Sequence, residues 1–181
     1  MRVLDLFSGI GGFSLGLQRA GMQTVAFCEI DPFCRQVLQK RWPEVPIFED
    51  IFKLTKAELV KAGVMGDAKP IDIICGGFPC QPFSVAGKQR GKRDDRYLWP
   101  EMLRVISEVR PRWIVCENVP GIIKLALDDV LSDLESLGYT CQTFNIPACA
   151  VDAPHKRDRI WIVAHTTSLQ RDTRPEKRRT L

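Results

Sequence analysis

Short apolar segments of strand length alternate with segments of helical period along almost all of this 181-residue chain. That alternation restricts the fold more than any other feature. Strands are expected at Arg2–Phe7, Thr24–Glu29, Val45–Phe48, Ile71–Cys75 and Arg112–Cys116, with a closing pair at Thr140–Ile146 and Arg159–Ala164. Helices are expected at Gly12–Ala20, closed by Gly21, and at Pro32–Arg41, with proline in its first turn. Three more fall at Thr55–Ala62, capped by Thr55, at Leu98–Val109, and at Ala126–Leu137, stopped by Gly138. Repeated strand–helix units predict a doubly wound, mostly parallel α/β sheet that ends in an antiparallel strand pair. Such sheets bind ligands beyond the carboxyl ends of their strands. Here those ends carry Ser8–Gly12, Glu29, Asp50, Cys80 and Glu117, which core packing alone does not call for.

The length suits one domain with a proper core, expected over residues 1–165. Residues 166–181 hold five basic residues against two acidic ones, a net of +3 out of the chain's +4, and lack periodicity. A basic, disordered tail is expected there. Within the body, Gly87–Arg96 also nets +3. The positive charge of the body is therefore concentrated just after Cys80, where a polyanionic substrate would need it. No long apolar stretch is present, and Met1-Arg2-Val3-Leu4-Asp5 lacks a signal-peptide layout, so a cytoplasmic protein without membrane contact is expected. Seven cysteines without a Cys-x-x-Cys pair argue against both a structural zinc site and a disulfide framework. Cys28, Cys75 and Cys116 sit inside apolar runs and read as core residues.

Two ends of the sheet carry chemistry. In Asp5-Leu6-Phe7-Ser8-Gly9-Ile10-Gly11-Gly12-Phe13 a strand passes into a helix through a glycine turn, so backbone amides can approach a ligand closely. Glu29, at the end of the next strand, is placed to accept hydrogen bonds from ribose hydroxyls, and Asp50 from an adenine amino group. Dinucleotide binding competes with this reading, but the spacing is not Gly-x-Gly-x-x-Gly, which favours a different nucleoside cofactor. In Gly76-Gly77-Phe78-Pro79-Cys80-Gln81-Pro82-Phe83-Ser84, two glycines end a buried strand and two prolines bracket a cysteine. A thiol on such a loop is a candidate nucleophile, against the bland alternative of a small buried hydrophobe. Glu117-Asn118-Val119 follows another buried strand, placing Glu117 at a sheet edge near the Cys80 loop. His155-Lys156-Arg157-Asp158-Arg159 precedes the last strand, and alternation puts Arg157 and Arg159 on one face.

In this order, the Asp-Leu-Phe-Ser-Gly-x-Gly-Gly start, Glu29, Asp50, Pro79-Cys80-Gln81, Glu117-Asn118-Val119 and Arg157-x-Arg159 resemble the C5-cytosine DNA methyltransferase family. The resemblance covers about residues 1–165 and implies the Rossmann-like sheet of adenosylmethionine-dependent methyltransferases. It implies S-adenosyl-L-methionine as cofactor, contacted by Phe7, Ser8, Gly9, Gly11, Gly12, Glu29, Ile30, Asp50, Ile51, Pro79 and Leu98. It also implies Cys80 as the nucleophile that adds to C6 of cytosine, Glu117 as the partner of N3 and the exocyclic amine, and Arg157 and Arg159 as the groups holding base and cysteine. No metal is implied. The substrate would be double-stranded DNA with the target cytosine flipped out, and residues 84–96 would close over it. A cytoplasmic setting, bacterial, phage-encoded or nucleoid-associated, and a restriction-modification system are further implications.

The resemblance stops short of two family parts, the variable target-recognition region and a last segment that completes the cofactor site. The chain then reads as a truncated product, a fragment, or one half of a split enzyme whose second chain supplies them. His155 stands where the family often has glutamine. Two other readings stay open, a tRNA cytosine methyltransferase of the same family and a catalytically silent binding module.

Overall fold

The computed structural model of the chain describes residues 1–79 and 97–166. Among the described residues, seven strands form one sheet: β1 Arg2–Leu6, β2 Gln23–Cys28, β3 Ile47–Phe48, β4 Ile73–Gly76, β5 Trp113–Asn118, β6 Thr140–Pro147 and β7 Asp158–His165. Their order is β3-β2-β1-β4-β5-β7-β6. The first five run parallel, and β7 lies antiparallel between β5 and β6. The expected doubly wound sheet with an antiparallel ending is therefore present.

The helices are α1 Gly12–Arg19, α2 Pro32–Arg41, α3 Lys56–Lys61, α4 Trp99–Val109, α5 Ile122–Leu125 and α6 Leu127–Ser136. Local chemistry starts and stops them. Asp31 caps α2 by accepting from the Cys34 N–H, with Pro32 in the first turn. Thr55 caps α3 by accepting from the Glu58 N–H. Helix α4 ends at Arg110, in left-handed conformation (φ 55°), with Pro111 next. Its buried residues Trp99, Met102, Val105, Ile106 and Val109 recur at helical spacing and form one stripe. Burying each of the aliphatic ones contributes about 1.5–3 kcal/mol.

That stripe packs on one face of the sheet, against Leu4, Leu6, Ile74, Ile114, Cys116, Ile160 and Ile162. Trp99 also donates from Nε1 to Asp133 of α6 at 2.8 Å, joining the two helices on this face. The other face has Val3, Ile73 and Cys75 at its centre, covered by Phe13 and Leu17 of α1. There Trp113 and Val115 remain only partly buried. Cys28, Cys75 and Cys116 are core residues, and burial pushes the Cys28 thiol up to about 12.

Several expectations need correction. The expected helix over 126–137 is α6, but a short helix that was not expected, α5, precedes it, the two divided where Ala126 leaves helical geometry (φ −155°). Strand β5 runs on to Asn118, so Glu117 does not follow the strand but is its penultimate residue, paired with Trp161 of β7 at the carboxyl edge of the sheet. Arg157 stands before β7 with φ 39°, so strand alternation does not carry it onto the face of Arg159. A 3₁₀ turn, Ala148–Val151, separates the last two strands. Thr166 still joins the fold, its N–H donating to the Arg112 carbonyl at 3.2 Å. The expected tail beyond it, and the basic segment after Cys80, lie outside the described residues.

Candidate active site at the carboxyl edge of the sheet

The exits of β1, β2 and β3 form one polar edge. After β1, Phe7 turns sharply (φ 53°) and Ser8 closes the turn, donating from Oγ to the Asp5 carbonyl at 2.6 Å and accepting from the Gly11 N–H at 2.9 Å. Gly11 has φ 88°, and a Cβ there would lie 2.5 Å from the Trp42 ring. Only glycine lets the start of α1 sit this close to the end of α2.

Glu29 is the hub of this edge. Its Oε2 accepts from the Gly9 N–H at 2.7 Å and its Oε1 from the Asp31 N–H at 2.8 Å. The carboxylate thus ties the glycine turn to the exit of β2 while keeping further lone pairs on both oxygens. It is 9% exposed, so it reaches solvent only through a narrow opening. Arg35 fixes the backbone beside it, donating from Nη1 to the Ile30 carbonyl at 2.5 Å and the Glu29 carbonyl at 3.3 Å. Ile30 itself is 75% exposed at this edge. Asp50 follows β3 and accepts from the Phe52 N–H at 2.9 Å. An open cavity of about 670 Å³ reaches Asp50 and is otherwise lined by Phe48, Glu49, Lys53, Leu54, Thr55 and Glu58. The Ile51 side chain is buried in the core.

The exits of β4 and β5 form a second cluster. Gly77 follows β4, and a Cβ on it would stand 3.0 Å from Glu117 Oε2. The glycine therefore lets the chain leading into Cys80 pass over the Glu117 carboxylate. Glu117 Oε1 pairs with Arg159 Nε at 2.6 Å, each side chain about a quarter exposed. Burial raises the Glu117 pKa above its ordinary value, although Arg159 and Arg157 both pull it down. Asn118 braces the same place: its Nδ2 donates to the Phe78 carbonyl at 3.2 Å, and its Oδ1 accepts from the Val119 N–H at 2.8 Å. Phe78 in turn packs against Trp99 with ring centroids 5.2 Å apart. Pro79 and Leu98 are partly buried at the two ends of the segment that holds Cys80. Cys80 itself, and residues 84–96 expected to close over a substrate, lie outside the described residues.

Of the expected site residues, the structure thus joins Gly9 to Glu29 and Glu117 to Arg159, and sets Phe7, Ser8 and Asp50 on the same edge of the sheet. Arg35, Arg104 and the bracing role of Asn118 escaped sequence reasoning. The Glu-Asn-Val motif pointed to Asn118 without saying what its amide does. The two arginines bond to backbone carbonyls and leave no motif.

The C-5 cytosine-specific DNA methylase family matches the chain over residues 1–181. The type II methyltransferase M2.BsuMI of Bacillus subtilis is 35% identical over 173 residues, covering 91% of this chain and 42% of that protein. M.NgoMIV of Neisseria gonorrhoeae is 36% identical and covers 89% and 50% respectively. The chain thus spans half or less of the length of these two relatives. It covers 71% of M.AquIA of Picosynechococcus, at 33% identity. Among solved structures, a prophage-encoded Escherichia coli protein described as a DNA modification methyltransferase superposes with a TM-score of 0.78. It is 32% identical and is matched over 96% of this chain and 49% of its own. With the whole sequence matched and the same sheet in place, the chain belongs to the C-5 cytosine-specific DNA methylase family.

Proposed function

We propose that the complete fold to which this chain contributes methylates C5 of a flipped cytosine in duplex DNA, through a covalent bond between Cys80 and C6. The observation that carries this reading is the Glu117–Arg159 pair set beneath Gly77, at the exit of the strand that leads into Cys80. The family uses S-adenosylmethionine. The polar edge of this sheet fits it: Glu29 keeps free lone pairs for ribose hydroxyls beside the glycine turn, and Asp50 offers an acceptor for an amino group. Phe7, Gly9, Gly11, Glu29 and Asp50 would hold the cofactor, which supplies an electrophilic methyl group when bound.

The residues divide the remaining work. Position 5 of cytosine is a weak nucleophile, and addition of the Cys80 thiolate to C6 gives C5 enamine character. A free thiol with a pKa of about 8.5 is only a few per cent ionised at neutral pH. Cationic neighbours lower that value. Glu117 faces N3 and the exocyclic amine, where its raised pKa favours holding a proton against the charge that builds on the ring. Arg159 holds the Glu117 carboxyl in position. After methylation the C5 proton leaves, the C6–S bond breaks and the thiolate returns.

The relatives' names place them in type II systems, so an endonuclease of matching specificity is the expected genetic partner. Base reading falls to the parts of the fold outside this chain, in whichever polypeptide they reside.

The test is transfer of labelled methyl groups to duplex DNA and to tRNA by the complete enzyme. Label is expected at C5 of cytosine in DNA, and Glu117→Gln is expected to slow transfer by roughly 10²–10⁴-fold, as for other positioned proton donors. Label found in tRNA alone would move the substrate to RNA. Calorimetric titration of this chain with adenosylmethionine is expected to show weak binding that Glu29→Ala reduces by about 1–3 kcal/mol, the worth of charged hydrogen bonds. Nicotinamide dinucleotide is expected not to compete, and displacement by it would refute the cofactor assignment.

A further inference from the structure

Helix α4 reaches across to the loop that follows β3 through one side chain. Arg104 donates from Nη2 to the Ile51 carbonyl at 2.7 Å and from Nη1 to the Leu54 carbonyl at 3.0 Å. Two further donors go to acids of its own helix, Nε to Glu101 and Nη1 to Glu108, each at 2.8 Å. Glu108 extends the grip, accepting the Lys56 N–H at 2.8 Å in the first turn of α3.

The segment held this way is the turn that begins at Asp50. The amides of Lys53 and Leu54 both bond to the Asp50 carbonyl at 3.1 Å, and the Phe52 amide bonds to the Asp50 carboxylate. The amides of Phe52, Lys53 and Leu54 are thus satisfied within the turn, whereas the Leu54 carbonyl accepts from a guanidinium of another element, and so does the Ile51 carbonyl beside its longer 3.3 Å bond from the Leu54 amide. Burial works against the Arg104 charge, yet the hydrogen bonds to Glu101 and Glu108 outweigh it and raise the pKa further. Against its own partial burial, Glu108 is pulled below its ordinary value by the Lys56 amide first and by Arg104 second. Arg104 and Glu108 are therefore both biased toward their charged forms. A planar fork of donors suits two carbonyls and two carboxylates, and an ammonium does not.

We infer that Arg104 is a positioning residue for the adenosine end of the cofactor, holding the Asp50–Leu54 turn in the shape that presents the Asp50 carboxylate. The inference rests on the adenosylmethionine reading above. Arg104 acts from behind the turn and touches no ligand.

Calorimetric titration of adenosylmethionine into the 181-residue chain tests it through a cycle of Arg104→Met, Asp50→Ala and the double variant. Arg104→Met is expected to weaken binding about tenfold, the scale of lost charged hydrogen bonds. Arg104→Lys is expected to restore only part of this. In the Asp50→Ala background the Arg104→Met step is expected to cost less than about twofold, because the contact that it supports is already gone. An equal loss in both backgrounds would show a general packing role and overturn the inference, as would unchanged affinity. If Arg104→Met fails to fold by circular dichroism, Arg104→Lys runs the same cycle. Parent chain that binds no adenosylmethionine would instead refute the cofactor reading and this inference with it, so the two failures are distinct.

Discussion

DNA in which 5-fluorocytosine replaces cytosine is expected to end covalently attached to Cys80 when the complete enzyme and adenosylmethionine are supplied. A normal turnover ends when the C5 proton departs and the C6–S bond breaks. Fluorine at C5 cannot leave as a cation, so the reaction stops with the sulfur still bonded to C6. The complex should survive denaturing electrophoresis, and peptide mapping should place the modification at Cys80. Cys80→Ser should give no adduct and lose methyl transfer by on the order of 10³-fold or more, as when other covalent nucleophiles are removed. Four of the six other cysteines make poor substitutes. Cys28, Cys75 and Cys116 are buried with their thiols pushed up, and Cys141 is held at about 11, largely by burial. Retention of the adduct in Cys80→Ser, or methyl transfer by the parent without any trapped complex, would remove Cys80 from the chemistry.

The sheet was legible because its signals are local. Strand runs such as the one around Ile73–Gly76, and helix starts such as Pro32 and the Thr55 cap, declare themselves within a few residues. The glycine turn and Glu29 were legible for the same reason, each sitting at a strand end that its neighbours define. What escaped depends on distant partners. The Arg104 bonds to Ile51 and Leu54 span 53 and 50 residues, and nothing near Arg104 distinguishes it from a surface arginine. Helix α5 escaped because its four residues are too few to show a helical period. Arg157 misled for a converse reason: alternation assumes extended backbone, and its positive φ ends that assumption one residue before β7 begins.

Asp5 is the sharpest case, since it read as one letter of a motif and is a buried acid in the central strand. It is fully buried, its Oδ2 accepting from Ser14 Oγ at 2.6 Å, and Ser14 accepting in turn from Thr24 Oγ1 at 2.8 Å. Its Oδ1 meets no nitrogen or oxygen donor, and the adjacent Cys75 thiol is a weak one. Burial raises its pKa to about 7, against the lowering effect of the Ser14 and Cys75 contacts. The folded state therefore prefers Asp5 protonated, whereas in the unfolded chain it ionises near the usual value of about 3.9. Its contribution to stability is present below about pH 4 and is lost as pH rises through about 7, a difference of up to about 4 kcal/mol. Asparagine cannot titrate, and its carbonyl can still accept from Ser14. Urea denaturation across pH 4.5–8 should thus show Asp5→Asn gaining on the parent steadily up to neutrality and no further above it. Other groups titrate in both proteins and cancel in the difference. Parallel curves would mean that Asp5 is already ionised in the folded chain at low pH, with a partner that the buried strand does not reveal.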